Sequence, residues 1–293
     1  MTRKVTVNLF DVGWTERKTQ KLSATLEEFA QLPIEDRWRG DIRLDRVERV
    51  AGDAALPVDA FHLDFAKSRD IGPGKISPHA VISDVGLRRE EFFGEETAAI
   101  YIPKKRWLCV LHNQYGTGPS RIAEYLNALD PGSNNRRFDY EVVPKIDARA
   151  LQRMQGMKHL SEVTVSANVG AFEDANDDVG ESVKEAATAA RAMRLHLKLV
   201  ANPAHKRGGF LDLGVVRKLV DSMLKQPDDV DRLEVKGGGG AAEEKDQMIN
   251  LLKHKIRKQF PDTSLIVANH RYTFESKIHL LRSPCRMWID SLD

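Results

Sequence analysis

Past residue 147 the hydrophobic pattern of this 293-residue chain switches back and forth between period two and period 3.6. The stretches "LSEVTVSANV", "LHLKLVA", "RLEVKG" and "SLIVAN" alternate as strands do. Between and after them, "ESVKEAATAARAM", "DLGVVRKLVDSMLKQ", "EKDQMINLLKHKIRKQF" and a last stretch from about Tyr272 carry apolar residues at helical spacing. Regular switching of this kind suits helices packed on a sheet, because each element has one apolar side to bury against the other layer. No fixed-period repeat accompanies it, which argues against solenoids and propellers.

The first half opens with a strand, "KVTVNLFDV", and a helix, "LSATLEEFAQL", in which Leu22, Leu26 and Phe29 recur at helical spacing. "DIRLDRVERVAGD" and "AFHLDFAKSRD" predict a hairpin with Phe61, Leu63 and Phe65 on one face. "TAAIYIPKKRWLCVLHNQ" predicts a second, more buried hairpin that turns at Pro103, Lys104 and Lys105. "SRIAEYLNAL" follows as a helix with Ile122, Leu126 and Leu129 on one side, then "RFDYEVVPKID" as a strand. A new helix begins at "ARALQRMQGM". The expectation is an α+β protein with mixed or antiparallel sheets and packed helices, in two domains: 1–147, with two hairpins, and 148–293, with alternating strands and helices.

The chain is 41% hydrophobic and 30% charged, and it has no apolar run approaching the roughly 20 residues that span a bilayer. Its N-terminus lacks the apolar block of a signal peptide. The only cysteines, Cys109 and Cys285, form no CxxC pair and no disulfide framework. A soluble, cytoplasmic protein without direct membrane insertion is therefore expected. Lys and Arg number 45 against 43 Asp and Glu, so any polyanion site must come from local clustering. Nine histidines occur without HExxH or a Cys/His cluster, and neither a metal site nor a cofactor is expected.

Several motifs carry two readings each. In "HNQYGTGPSR" free amides at a helix start suit a phosphate. Yet Pro119 and Ser120 stand where a Walker loop needs lysine, and Gly118 followed by Pro119 is an ordinary helix beginning. Arg121 alone keeps a ligand contact there. In "RLEVKGGGGAAEEKDQ" a dinucleotide turn would use Gly237, Gly239 and Ala242, but Asn269 and His270 end the next strand where an acid would grip a ribose. A flexible linker fits that run better. Glu234 and Lys236 form an E-x-K pair of the type that positions magnesium in nucleases, which also demands an acid from an adjoining strand. Asp212 and Asp221 fall on a predicted helix, and Asp229 and Asp231 in its trailing turn. "EDANDDVGESVKE" spaces Asp174, Asn176, Asp178 and Glu185 like a calcium loop, but Val179 stands where such a loop needs glycine. An acidic helix cap explains the same residues.

The better polyanion signal is basic. Lys104, Lys105 and Arg106, then Arg121, Arg136 and Arg137, Lys206 and Arg207, and Lys253 with Arg257 sit at predicted loops or helix faces. There, flexible cations reach a phosphate backbone and release its counterions. Aromatics are sparse beside them, which favours duplex backbone over stacked single strands.

The order of elements, above all "AAIYIPKKRWLCVLHNQYGTGPSRIAEYLNAL" and then "HLSEVTVSANV", "LHLKLVA" and "RLEVKGGGGAAEEKDQ", resembles that of the phage lambda Rex exclusion protein A family of phage-defence proteins. The resemblance implies a sequence-tolerant double-stranded DNA binder in abortive infection. It would act as a homodimer and as sensor or accessory subunit beside an effector from the same locus, more a binder than an enzyme. The alternatives are a magnesium-dependent nuclease at Glu234 and Lys236, and a non-catalytic interaction subunit of a defence complex.

Overall fold

A computed structural model describes residues 4–14, 21–78, 80–129, 140–172, 178–202, 209–226, 228–238 and 246–292. In chain order the elements are β1 (Lys4–Trp14), α1 (Leu22–Ala30), β2 (Trp38–Arg39), β3 (Ile42–Val50), β4 (Ala60–Arg69), β5 (Lys75–Ser77), β6 (Ala80–Ser83), β7 (Phe93–Ile102), β8 (Trp107–Leu111) and α2 (Pro119–Asn127). Next come β9 (Tyr140–Pro144), α3 (Ala148–Gln155), β10 (His159–Asn168), α4 (Asp178–Ala189), β11 (Arg194–Val200), α5 (Leu213–Lys225) and β12 (Val230–Gly238). The last are β13 (Gln247–Asn250), β14 (Arg257–Pro261), β15 (Val267–Ala268), β16 (Arg271–Tyr272) and α6 (Phe274–Ser291). Helices with antiparallel sheets make this an α+β protein.

Two compact units emerge. Unit 1 comprises Met1–Val7, Trp14–Tyr140 and Lys258–Asp293; unit 2 comprises Asn8–Gly13 and Glu141–Arg257. The long segment of unit 2 thus begins just before residue 147, and the end of the chain returns to unit 1.

The strands of the larger sheet run in the order β14-β1-β8-β7-β4-β3-β2, and β9 also pairs with β1. The predicted hairpins are β3 with β4 and β7 with β8, both antiparallel. Burial is continuous over Ala60–Phe65 of β4, so both of its faces are covered. Toward one side Phe65 meets Tyr125 of α2 edge-on at 5.7 Å, and Phe29 of α1 meets the same ring at 6.0 Å. That aromatic cluster explains why Leu22, Leu26 and Phe29 face inward. The Tyr125 hydroxyl donates to the Arg37 carbonyl at 2.7 Å and accepts from the Leu44 amide at 3.0 Å, which satisfies it in the core.

The other side of β4 carries polar groups against α6. Lys277 Nζ lies 3.3 Å from Asp64 Oδ1 and 3.2 Å from Glu96 Oε2, with Lys277 and Asp64 both buried. Burial raises the pKa of Asp64 and lowers that of Lys277, and in each it is the largest cause, ahead of their mutual attraction. The pair is a lock on α6 whose desolvation is severe.

His62, two residues before Asp64, is buried with Nε2 unpartnered, and burial lowers its pKa from 6.5 to about 4. It is neutral in the folded chain, whereas the unfolded chain binds a proton as pH falls through 6.5. Between those values the unfolded state holds more protons, so this group withdraws stability as pH drops from 6.5 toward about 4. Urea midpoints of His62→Phe and wild type, compared from pH 7 to pH 4, are expected to converge or cross as the wild type loses the extra stability. Parallel curves would show that His62 does not titrate on unfolding.

Unit 2 is organised on the sheet β11-β10-β12-β13, antiparallel throughout. Val163 and Val165 of β10, Leu233 and Val235 of β12, and Ile249 of β13 point into a core with Val216, Leu219, Val220 and Met223 of α5. Leu195, Leu197 and Leu199 of β11 pack against the same core. The helix predicted over "EKDQMINLLKHKIRKQF" is replaced, over the described residues 246–260, by β13, a 3₁₀ turn at Leu251–His254 and the start of β14. Pairing of β13 along β12 overrides the local helical spacing there. The predicted strand "SLIVAN" shrinks to β15, half of a two-residue hairpin with β16. Among the described residues no helix is long and apolar enough to cross a membrane.

Candidate nucleic-acid interface

The predicted basic residues separate. Lys104, Lys105 and Arg106 form the β7–β8 turn, and Arg106 takes φ 55, the left-handed region. The Lys105 ammonium lies 5.7 Å from the centre of the Trp107 ring. Arg121, in the first turn of α2, is bound to Asp41 and, at 2.5 Å, to Glu124. Asp41 precedes Ile42, which is opposite Lys67 and so at the Glu95 end of the sheet, whereas Arg106 follows Ile102 at the opposite end. About seven strand residues intervene, roughly 20 Å, so the two groups do not converge. Gly118 caps α2 with Pro119 in the first turn, the ordinary helix start that the sequence predicts. Arg136, Arg137, Lys206 and Arg207 lie outside the described residues, as do Asp174, Asn176, Gly239 and Ala242.

Lys253 and Arg257 belong to unit 2. Arg257 is exposed at the start of β14; Lys253 is exposed on the 3₁₀ turn that follows β13. Lys253 adjoins an unexpected constellation. With the apolar residues of the β11-β10-β12-β13 sheet turned to α5, alternation sends the others to the helix-free face. Register sets Glu162 opposite Lys236 and Val200, Thr164 opposite Glu234 and Lys198, and Ser166 opposite Arg232 and His196. Arg194, Lys198, Arg232, Lys236 and Lys253 supply five cations there, against the four carboxylates Glu162, Asp231, Glu234 and Asp246, the last of which attracts Lys236.

Those carboxylates are engaged. Lys198 holds Glu162 at 3.1 Å, Arg232 holds Glu234 at 2.6 Å, and Arg194 holds Asp231. Asn250 donates to the second Glu234 oxygen at 2.8 Å. The Arg232 hydrogen bond is the largest cause of the lowered Glu234 pKa, and Lys253 contributes from nearby. Lys236 and Lys253 make no ion pair among the described residues.

This geometry bears on the E-x-K pair. Glu162 does supply an acid from the adjoining strand, on the same face as Glu234. However, each Glu234 oxygen already accepts from protein, and its cation is Arg232. Among the described residues no group of three His, Cys, Asp or Glu side chains is arranged to hold a metal ion.

Gly237 and Gly238 also acquire a local cause. They are inside β12, where a register shift between Leu160 and Glu162 brings β10 close. A Cβ on Gly237 would collide with the His159 carbonyl oxygen, and one on Gly238 would come within 3.0 Å of the His159 ring. His159 Nε2 in turn meets Asp246 at 2.9 Å, and Ser161 donates to the same carboxylate. With aspartate in the middle, the serine and histidine are not joined as a nucleophile and base would be.

The cations on β11 were legible in "RLHLKLV", where Arg194, His196 and Lys198 recur at period two. Scanning for adjacent basic residues passes over that signal, because a strand gathers cations on alternate positions.

Fold and face together define an α+β protein with a charged sheet surface left bare by its helices. Residues 2–264 match a family described as a family of unknown function (DUF6731), and the chain belongs to that family. No curated protein matches it.

Proposed function

We propose that the chain binds double-stranded DNA through phosphate contacts on the helix-free face of the unit 2 sheet. The observation that carries this reading is the surplus of one cation there, with Lys253, and Lys236 beside Asp246, outside every ion pair among the described residues. The Arg194–Asp231 pair is exposed on both sides, and such pairs are worth about 0–1 kcal/mol, so phosphates compete readily for Arg194 as well. A four-stranded sheet is about 15 Å wide, broader than the ~12 Å major groove, which favours backbone over base-edge contacts and tolerance of sequence. The strand positions of this face carry no Phe, Tyr or Trp, and the exposed Phe210, stacked on His159 of β10 at 4.3 Å, is a single ring at its edge, which suits a duplex backbone better than a run of stacked bases. The homodimer, effector partner and antiphage setting rest on the sequence resemblance alone and play no part in this reading.

Affinity for two unrelated duplexes, measured from 25 to 200 mM salt, tests it. Both are expected to bind alike, with a log–log slope of about −3 to −4 for some four phosphate contacts, and Lys236→Ala with Lys253→Ala to reduce that slope by about 2. Absence of binding at the lowest salt, or an unchanged slope in the double variant, would overturn the assignment.

A further inference from the structure

Unit 1 contains a cleft of about 660 Å³ between the start of β1, the start of β7, the loop after β8 and the β15–β16 hairpin. Small-molecule sites span about 300–1,000 Å³, so the space suits a ligand rather than a few waters. Its charged lining is Lys4, Arg271 and Lys277 against Glu95 and Glu96. Both carboxylates are already answered: Glu95 by Arg69 at 2.6 Å, Glu96 by Lys277 at 3.2 Å and by Arg271. The surplus is one cation. That balance suits a phosphomonoester better than a di- or triphosphate, whose extra charge would go unmatched.

Arg271 is the natural anion contact. Its side chain is 71% exposed, and a guanidinium with five donors can hold Glu96 and a second acceptor together. Tyr115, 55% exposed, and Tyr272 supply ring surface in the same lining, with Arg69 stacked 5.1 Å from the Tyr115 ring centre. The hairpin tip adds a further ring to the lining. Asn269 and His270 have φ 50 and 65, a two-residue turn with both positions left-handed, where the second is ordinarily glycine. A histidine kept in that strained place puts a ring donor in the cleft lining.

We propose that this cleft binds a nucleoside monophosphate, its phosphate on Arg271 and Lys4 and its base against Tyr115. The site is independent of the DNA-contact face, so either proposal can fail alone. The test is calorimetric titration of the full chain with AMP, GMP, CMP and UMP, beside adenosine and ribose 5-phosphate. At least one monophosphate is expected to bind ten times tighter than nucleoside or sugar phosphate, and Arg271→Ala and Tyr115→Ala each to weaken it tenfold. Both substitutions fall on exposed side chains and should leave the ligand-free unfolding midpoint in place, while the Lys236→Ala, Lys253→Ala variant should bind as wild type does. Failure of all four monophosphates at millimolar concentration, or unaltered binding in both cleft variants, would overturn the proposal.

Discussion

Lys277→Met is expected to destabilise unit 1 by about 3–5 kcal/mol at neutral pH, because it strands the buried Asp64 carboxylate without its cation. Glu96 keeps Arg271, but the described ion pairs give Asp64 only Lys277. Burial already holds the Asp64 pKa above its ordinary 3.8, and losing Lys277 removes the principal influence opposing that rise. The folded variant therefore binds a proton at a pH where the unfolded chain does not, so its deficit should shrink as pH falls from 7.5 toward 5. Adding Asp64→Asn should recover most of the loss, since removing both charges of a buried pair costs far less than removing one. Urea unfolding of the four members of this cycle at two pH values is the measurement. A deficit below 1 kcal/mol at pH 7.5, or one that does not respond to pH, would contradict the burial assigned to the pair.

Gly237→Ala is the second large effect. The added Cβ meets a backbone carbonyl of β10, which can retreat only if the strands separate, and a cost of about 3 kcal/mol or more follows for overpacking against main chain. Gly238→Ala is the internal control. Its Cβ meets the His159 ring at 3.0 Å, and a side chain can turn aside, so about 1 kcal/mol is expected. An effect of Gly237→Ala no larger than about 0.5 kcal/mol would contradict the close approach of β10 to β12. Hydrogen exchange along β10 and β12 would localise the difference, because only the first substitution should open that pairing.

Much of the fold was legible because its signals are local. The hairpin at Lys104 and Lys105, the helix begun by Gly118 and Pro119, and the alternation of "LSEVTVSANV" each depend on neighbours in sequence. What escaped depends on distant partners. Residues 246–260 show helical spacing, yet β12 offers an open edge to Ile249 and Asn250, and pairing prevails. His62 and Asp64 read as the solvent side of a two-faced strand, and only the return of α6 from the end of the chain covers them. The charged face behaved likewise. Lys236 and Lys253 stand out in separate motifs of the sequence, but only register makes them neighbours of each other and of Arg194, Lys198 and Arg232.

Whether phosphates meet unit 2 on its helix-free face is decided by lysine acetylation with and without a saturating duplex. Mass spectrometry of the labelled chain should show Lys198, Lys236 and Lys253 protected at least fivefold by DNA, with Lys104 in the unit 1 turn labelled equally in both samples. Protection of Lys104 with unchanged labelling of Lys236 and Lys253 would contradict the account.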